Sequence, residues 1–256
     1  MAWNPEIYNQ FKDIRYKPFY DLASLLKEDT KGTAIDIGCG TGEQTAILAN
    51  RFPNLSFIGV DSSPEMLQKS SGYVGDRVLF KEATIEETAH SQQQWDLIFS
   101  NAALQWADKH EELFPALLDR IKPGGQFAVQ MPLQNENMLN ILLRELADEA
   151  PYKSWLSGWN RQSSVLTLDA YAQMLFDGNM VDIQLSQKVY PIIANSHQEL
   201  FNFISGSALI PYLERLTEQQ KPLFTAAFMQ KIKEAYPQLP AFYAFKRILI
   251  YAQKNV

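Results

Sequence analysis

The chain has 256 residues, 46% hydrophobic and 20% charged, the make-up of a globular protein with room for one large α/β domain. Lys and Arg number 23 against 29 Asp and Glu, a net charge of −6 without any basic block; no nucleic-acid partner is expected, because phosphate backbones are held by clustered cations. One cysteine, no signal-peptide layout and no apolar run near the ~20 residues of a membrane helix point to a soluble, cytoplasmic chain without a membrane partner.

Residues 33–38 (TAIDIG) predict the first strand, and residues 42–51 carry the spacing of the first helix. Residues 56–61 (SFIGVD) read as the second strand, after which Ser63 as N-cap and Pro64 at the first helical position start another helix. Further strands are predicted at 78–81, 96–101 and 126–131. Between the last two, Asp108 and Glu111 have capping-box spacing ahead of ELFPALLDRI, and Lys122-Pro-Gly-Gly125 is expected to end that helix. This alternation predicts a parallel sheet with helices on both faces. Residues 133–177 are helix-prone and carry Trp155 and Trp159. Residues 181–192 alternate as a long strand, 197–236 look helical with a second capping box at Thr217 and Gln220, and 246–253 read as a closing strand. The expected organisation is a single domain over 1–256, with a cofactor-binding core at 30–132 and a helical cap from 133–180 and 195–240.

The sharpest motif is Asp36-Ile-Gly-Cys-Gly-Thr-Gly42, between the first strand and the first helix. Glycines there let the backbone approach a ligand, and the helix start presents free N–H groups. A nicotinamide dinucleotide turn would place its third glycine where Glu43 stands. Pyrophosphate sits poorly beside the carboxylates of Asp36 and Glu43, whereas a ligand with a sulfonium and an ammonium suits them, which favours S-adenosylmethionine over NAD. Asp61, at the end of the second strand, can accept from both ribose hydroxyls.

Residues 33–131 resemble the core of the class I S-adenosylmethionine-dependent methyltransferases. Longer pieces are similar to the trans-aconitate 2-methyltransferase family: Trp3-Asn-Pro5 with Tyr8, Phe11, Arg15 and Pro18; Gly59-Val-Asp-Ser-Ser-Pro64 with Met66; and Ser100-Asn-Ala-Ala-Leu-Gln-Trp106. His110 before Glu112-Leu-Phe-Pro115, Ala128-Val-Gln-Met-Pro132 and Pro211-Tyr-Leu213 match as well. The likeness covers almost the whole chain and is weakest over 133–195. It implies a Rossmann-like, mostly parallel seven-stranded sheet with a helical cap inserted in the C-terminal half. It also implies that Asp36, Gly38, Cys39, Gly40 and Gly42 form the cofactor turn around the methionine part, that Asp61 holds the ribose, and that Ser62 and Met66 lie beside the adenine. Thr84 and Ile85 fall in the adenine-edge loop, where relatives carry Asp at the place of Thr84. Asn101 and Ala102 would stand where the methyl group is presented, with Gln105 and Trp106 at the substrate entrance. The family carries Leu-Arg-Pro where this chain has Leu209-Ile210-Pro211, and residues 133–138 also depart from its pattern.

The activity so implied is carboxyl O-methylation of trans-aconitate or a similar small polycarboxylic acid, with S-adenosylhomocysteine as coproduct. A carboxylate is ionised at pH 7 and requires no general base, so no acid–base residue is assigned; Tyr8, Gln105 and Trp106 are positioning candidates. Arg15, Trp106 and Arg247 are the expected substrate contacts, since carboxylates call for cations. Arg144 and Arg161 lie in the insertion without support from the family pattern. No Cys/His/Asp cluster has metal-ligand spacing, so no metal is expected. Malonyl-carrier-protein methylation and a non-catalytic S-adenosylmethionine-binding role stand as alternatives.

Overall fold

The computed structural model describes residues 12–256, with side chains from Tyr16 onward. Helix α1 (Lys12–Ala23) is followed by β1 (Gly32–Ile37), α2 (Glu43–Arg51), β2 (Leu55–Asp61), α3 (Pro64–Ser70), β3 (Val78–Glu82), α4 (Ile85–His90) and β4 (Trp95–Asn101). After a 3-10 turn over Leu104–Trp106 come α5 (His110–Leu118), β5 (Ile121–Pro132), α6 (Met138–Asp148), α7 (Tyr152–Trp155) and α8 (Leu168–Asp177). The chain closes through β6 (Met180–Ala194), α9 (His197–Ser205), α10 (Ile210–Leu213), α11 (Gln220–Ala235) and β7 (Ala241–Lys254).

The seven strands form one sheet in the order β3-β2-β1-β4-β5-β7-β6. Strands β1 to β5 pair in parallel, and β7 returns antiparallel to β5. The order reverses between β1 and β4, and in open α/β sheets ligands bind at the carboxyl ends of the strands beside that point. Ala34, Ile35 and Ile37 of β1 and Leu97, Ile98 and Phe99 of β4 are all buried. Such near-continuous apolar strands are what a parallel sheet covered on both faces requires.

Two compact units divide the described chain: one includes 17–132, 164–188 and 247–256, the other 133–163 and 189–246. The second has its own apolar core, with Leu139, Leu143, Phe224 and Phe228 buried in it. The first segment of that second unit ends at Ser163, ahead of α8. Tyr171 of α8 is fully buried in the sheet unit, with its ring 4.6 Å from that of Phe114.

Ser63 caps α3 as predicted. The box at Thr217 forms too, the Thr217 amide donating to Gln220 Oε1 at 3.0 Å and the Gln220 amide to Thr217 Oγ1 at 3.3 Å. The box at Asp108 does not form: Lys109, at φ 53°, is the N-cap of α5, and Asp108 accepts instead from Ser164 Oγ. The Lys122–Gly125 tract lies inside β5, because α5 has already ended at Leu118.

Candidate active site

The glycine turn is tied to the carboxyl end of β2. The amides of Gly38 and Cys39 both donate to the Val60 carbonyl, at 2.8 and 3.0 Å. Asp61 accepts the Gly40 amide on Oδ2 at 2.9 Å and the Ser63 amide on Oδ1 at 2.9 Å. Each oxygen keeps a further lone pair, so the carboxylate can brace the turn and still accept from a ligand. Gly40 has φ 56°, and a Cβ built on it would meet nothing within 4 Å, which leaves the backbone open on that side. Gly42 is the opposite case: a Cβ there would lie 2.5 Å from the Phe80 ring, so packing against β3 demands glycine.

Asp36 is buried under the turn and accepts a hydrogen bond from Thr45 Oγ1. Burial raises its carboxyl to about 7, with the Asp61 charge adding to the rise. The Cys39 thiol is likewise buried and pushed well above its usual range by burial and by the same two aspartates, so it stays protonated. An open backbone at Gly40, spare acceptors on Asp61 and an acidic lining suit an adenosine ligand that carries positive charge.

At the edge expected to face the adenine, Ser62 is exposed and Met66 is 39% exposed. The Ala83 amide donates to the Asp61 carbonyl, which brings the 83–85 loop beside the same edge. Thr84 and Ile85 are half-buried there, and the Thr84 hydroxyl accepts the Glu87 amide in a full capping box at the start of α4.

At the end of β4, the Ala102 amide donates to the Gln130 carbonyl, and Ala102 adopts φ 58°. That left-handed conformation is strained for a residue with a Cβ, and Gln105 braces it by donating Nε2 to the Ala102 carbonyl at 2.6 Å. Gln105 is buried and Trp106 is 38% exposed. Asn101 donates Nδ2 to Gln44 Oε1 at 3.0 Å. Gln44 carries no signal in the sequence, since a polar residue in a first helical turn looks like solvated surface.

Beneath the 3-10 turn runs a buried relay. The Leu166 amide donates to Tyr171 Oη at 3.1 Å, Tyr171 Oη lies 2.6 Å from His110 Nδ1, and His110 Nε2 lies 2.9 Å from the Leu104 carbonyl. A carbonyl only accepts, so Nε2 carries the proton and Nδ1 accepts from the tyrosine. Burial depresses the His110 pKa, consistent with a neutral ring.

Arg247, on β7, is 7% exposed and donates Nη1 to Gln130 Oε1 at 2.7 Å. Tyr8 lies outside the described residues; Arg15 is in α1, with its side chain outside the description. In the other unit, Arg144 and Arg161 line a shallow cleft with Gln134, Asn140 and Tyr212.

A sheet of this order, with an open glycine turn after β1 and an acidic residue closing β2, defines an S-adenosylmethionine-dependent methyltransferase. The family described as a methyltransferase domain matches residues 34–125. The chain is 38% identical to a trans-aconitate 2-methyltransferase of Deinococcus radiodurans, over 99% of each chain. It is 33% identical to that of Escherichia coli O157:H7, over 99% of this chain and 98% of the relative. The chain belongs to the trans-aconitate 2-methyltransferase family. Solved structures share the fold at low identity. YcgJ of Bacillus subtilis has TM-score 0.60 and 17% identity, covering 94% of this chain and 99% of that one. Phosphoethanolamine N-methyltransferase 2 of Haemonchus contortus, in complex with S-adenosyl-L-methionine, has TM-score 0.57 and 17% identity, covering 94% and 52%. No helix among the described residues is long and apolar enough to cross a membrane.

Proposed function

We propose that this enzyme methylates a carboxylate of trans-aconitate, giving a methyl ester. The observation that carries the reading is likeness to trans-aconitate 2-methyltransferases over 99% of the chain. The chemistry of the site agrees with it. When bound, S-adenosylmethionine supplies an electrophilic methyl group on a positively charged sulfur. Gly38, Cys39 and Gly40 would hold its amino-acid part, Asp61 the ribose, and Ser62, Met66 and the Thr84–Ile85 edge the adenine. Asp36 and Asp61 place negative charge under the turn. Gln105 and Trp106 would position the acceptor, with Arg247 as its cation.

Asn101, Gln105, Trp106 and Arg247 cannot take a proton at neutral pH, Cys39 is held as a thiol, and His110 has both ring nitrogens engaged. An acceptor already ionised at pH 7 suits such a set, and a carboxylate is one. Its attack on a cationic centre cancels charge, so a water-poor site favours it. The net charge of −6 and the lone buried cysteine support a cytoplasmic enzyme acting on a small anionic acid rather than on nucleic acid.

The test is S-adenosylhomocysteine release with trans-aconitate, cis-aconitate, isopropylmalate, itaconate and malonyl carrier protein. Turnover of trans-aconitate at the highest kcat/KM is expected. Turnover of malonyl carrier protein alone would replace the substrate, and silence throughout would remove the reading.

A further inference from the structure

Gln130 belongs to the Ala128–Pro132 motif, which carries part of the family likeness but has no role in the reaction as described. It lies on β5, fully buried, in register with Asn101 of β4 and two residues before Pro132, the β5 partner of Arg247. A guanidinium has donors only, so the amide 2.7 Å from Arg247 turns its oxygen toward the arginine and its nitrogen away. That nitrogen, Nε2, is buried and has no hydrogen-bond partner among the described residues. Buried amide donors are nearly always paired, and one left over beside a buried cation suits an anionic ligand.

The residue type matters as much as the place. A glutamate would brace Arg247 more strongly, yet it would neutralise the guanidinium. Glutamine holds the arginine without adding a negative charge of its own.

We propose that Gln130 is a specificity-determining residue of the acceptor site: its Oε1 fixes the Arg247 guanidinium, and its Nε2 donates to a carboxylate of the substrate held there. One neutral donor and one cation then read the acid together. The inference rests on the assignment of Arg247 to the substrate.

The experiment compares the full-length wild type with Gln130→Glu and Gln130→Met in steady-state kinetics on trans-aconitate. Thermal unfolding and S-adenosylmethionine affinity serve as controls. In Gln130→Glu the brace survives while charge and donor are lost, so KM for the acid should rise roughly ten- to a hundredfold. Its kcat at saturation and its cofactor affinity should stay within about threefold, since no reacting group changes. Gln130→Met should raise KM about tenfold. A merely structural brace would leave the KM of Gln130→Glu unchanged and lower the melting temperature of Gln130→Met. If Gln130→Glu does not fold, the methionine variant decides alone. A KM within twofold of wild type in every folded variant, with normal wild-type turnover, overturns the inference and leaves the functional reading standing. No wild-type turnover of any acid overturns both.

Discussion

The Gly40 amide donates to Oδ2 of Asp61 at 2.9 Å, so the acidic residue that ends β2 also shapes the glycine turn after β1. Replacing Asp61 with Ala removes the acceptor of both the Gly40 and Ser63 amides. S-adenosylmethionine affinity should fall roughly ten- to a hundredfold, and stability by ~1–3 kcal/mol, as measured by calorimetric titration and thermal unfolding. Asp61→Asn should recover only part, because its amide nitrogen would face one of the two N–H donors. Wild-type affinity in Asp61→Ala would end the ribose assignment.

Two glycines of the turn should separate fold from ligand. Gly40→Ala adds a methyl into open space at φ 56°, a backbone cost of about 1–2 kcal/mol, and should unfold only a few degrees lower. Its cofactor affinity should nevertheless drop at least roughly tenfold, since the methyl occupies the open side of the turn. Gly42→Ala drives a Cβ into Phe80 and should cost ~2–4 kcal/mol of stability. Equal binding by Gly40→Ala and wild type would show that the ligand lies elsewhere.

Asp36 gives a pH signature. Its folded pKa of about 7 lies above the ordinary carboxylate value near 3.8, so the unliganded fold is penalised as pH rises through this window and the carboxyl ionises. Asp36→Asn should therefore be more stable than wild type by roughly 1–3 kcal/mol at pH 8 and no more stable at pH 4. A cationic ligand favours the ionised form, so wild-type affinity for S-adenosylmethionine should rise several-fold from pH 6 to 8 and that of Asp36→Asn should stay level. Parallel pH profiles for the two proteins would contradict this account.

The His110 relay pulls the other way. Its depressed pKa means that the unfolded chain binds a proton below about pH 6.5 while the folded chain resists it, so this contribution is present at higher pH and lost on acidification. His110→Phe leaves the Tyr171 hydroxyl and the Leu104 carbonyl without their partner. It should cost ~2–4 kcal/mol at pH 8 and less at pH 5, read by denaturant titration at each pH. Because the 3-10 turn carries Gln105 and Trp106, kcat should fall along with stability.

Arg247 should separate acid binding from cofactor binding. Arg247→Lys keeps the charge but loses the planar fork, and KM for the acid should rise about tenfold; Arg247→Ala should raise it roughly a hundredfold. Cofactor affinity should change less than about twofold in both. A larger change for cofactor than for acid would move Arg247 out of the acceptor site.

Much of this molecule is legible along the chain. Strand and helix periodicity, the Ser63 cap and the glycine turn are properties of a few consecutive residues, so local spacing reveals them. Asp61 is legible too, because a short βαβ unit sets its distance from the turn. The Asp108 capping box was not, since a left-handed Lys109 and a distant Ser164 take its place. Nor was the burial of Asp36, which depends on α2 bringing Thr45 over it. His110 and Tyr171 are 61 residues apart, and Gln130 and Arg247 are 117 apart. The family and the glycine turn are written in short stretches of the chain, whereas the contact between Arg247 and Gln130, where we propose that the acid is held, exists only through the antiparallel register of β7 on β5. That register comes from packing across the whole sheet, and no local spacing encodes it.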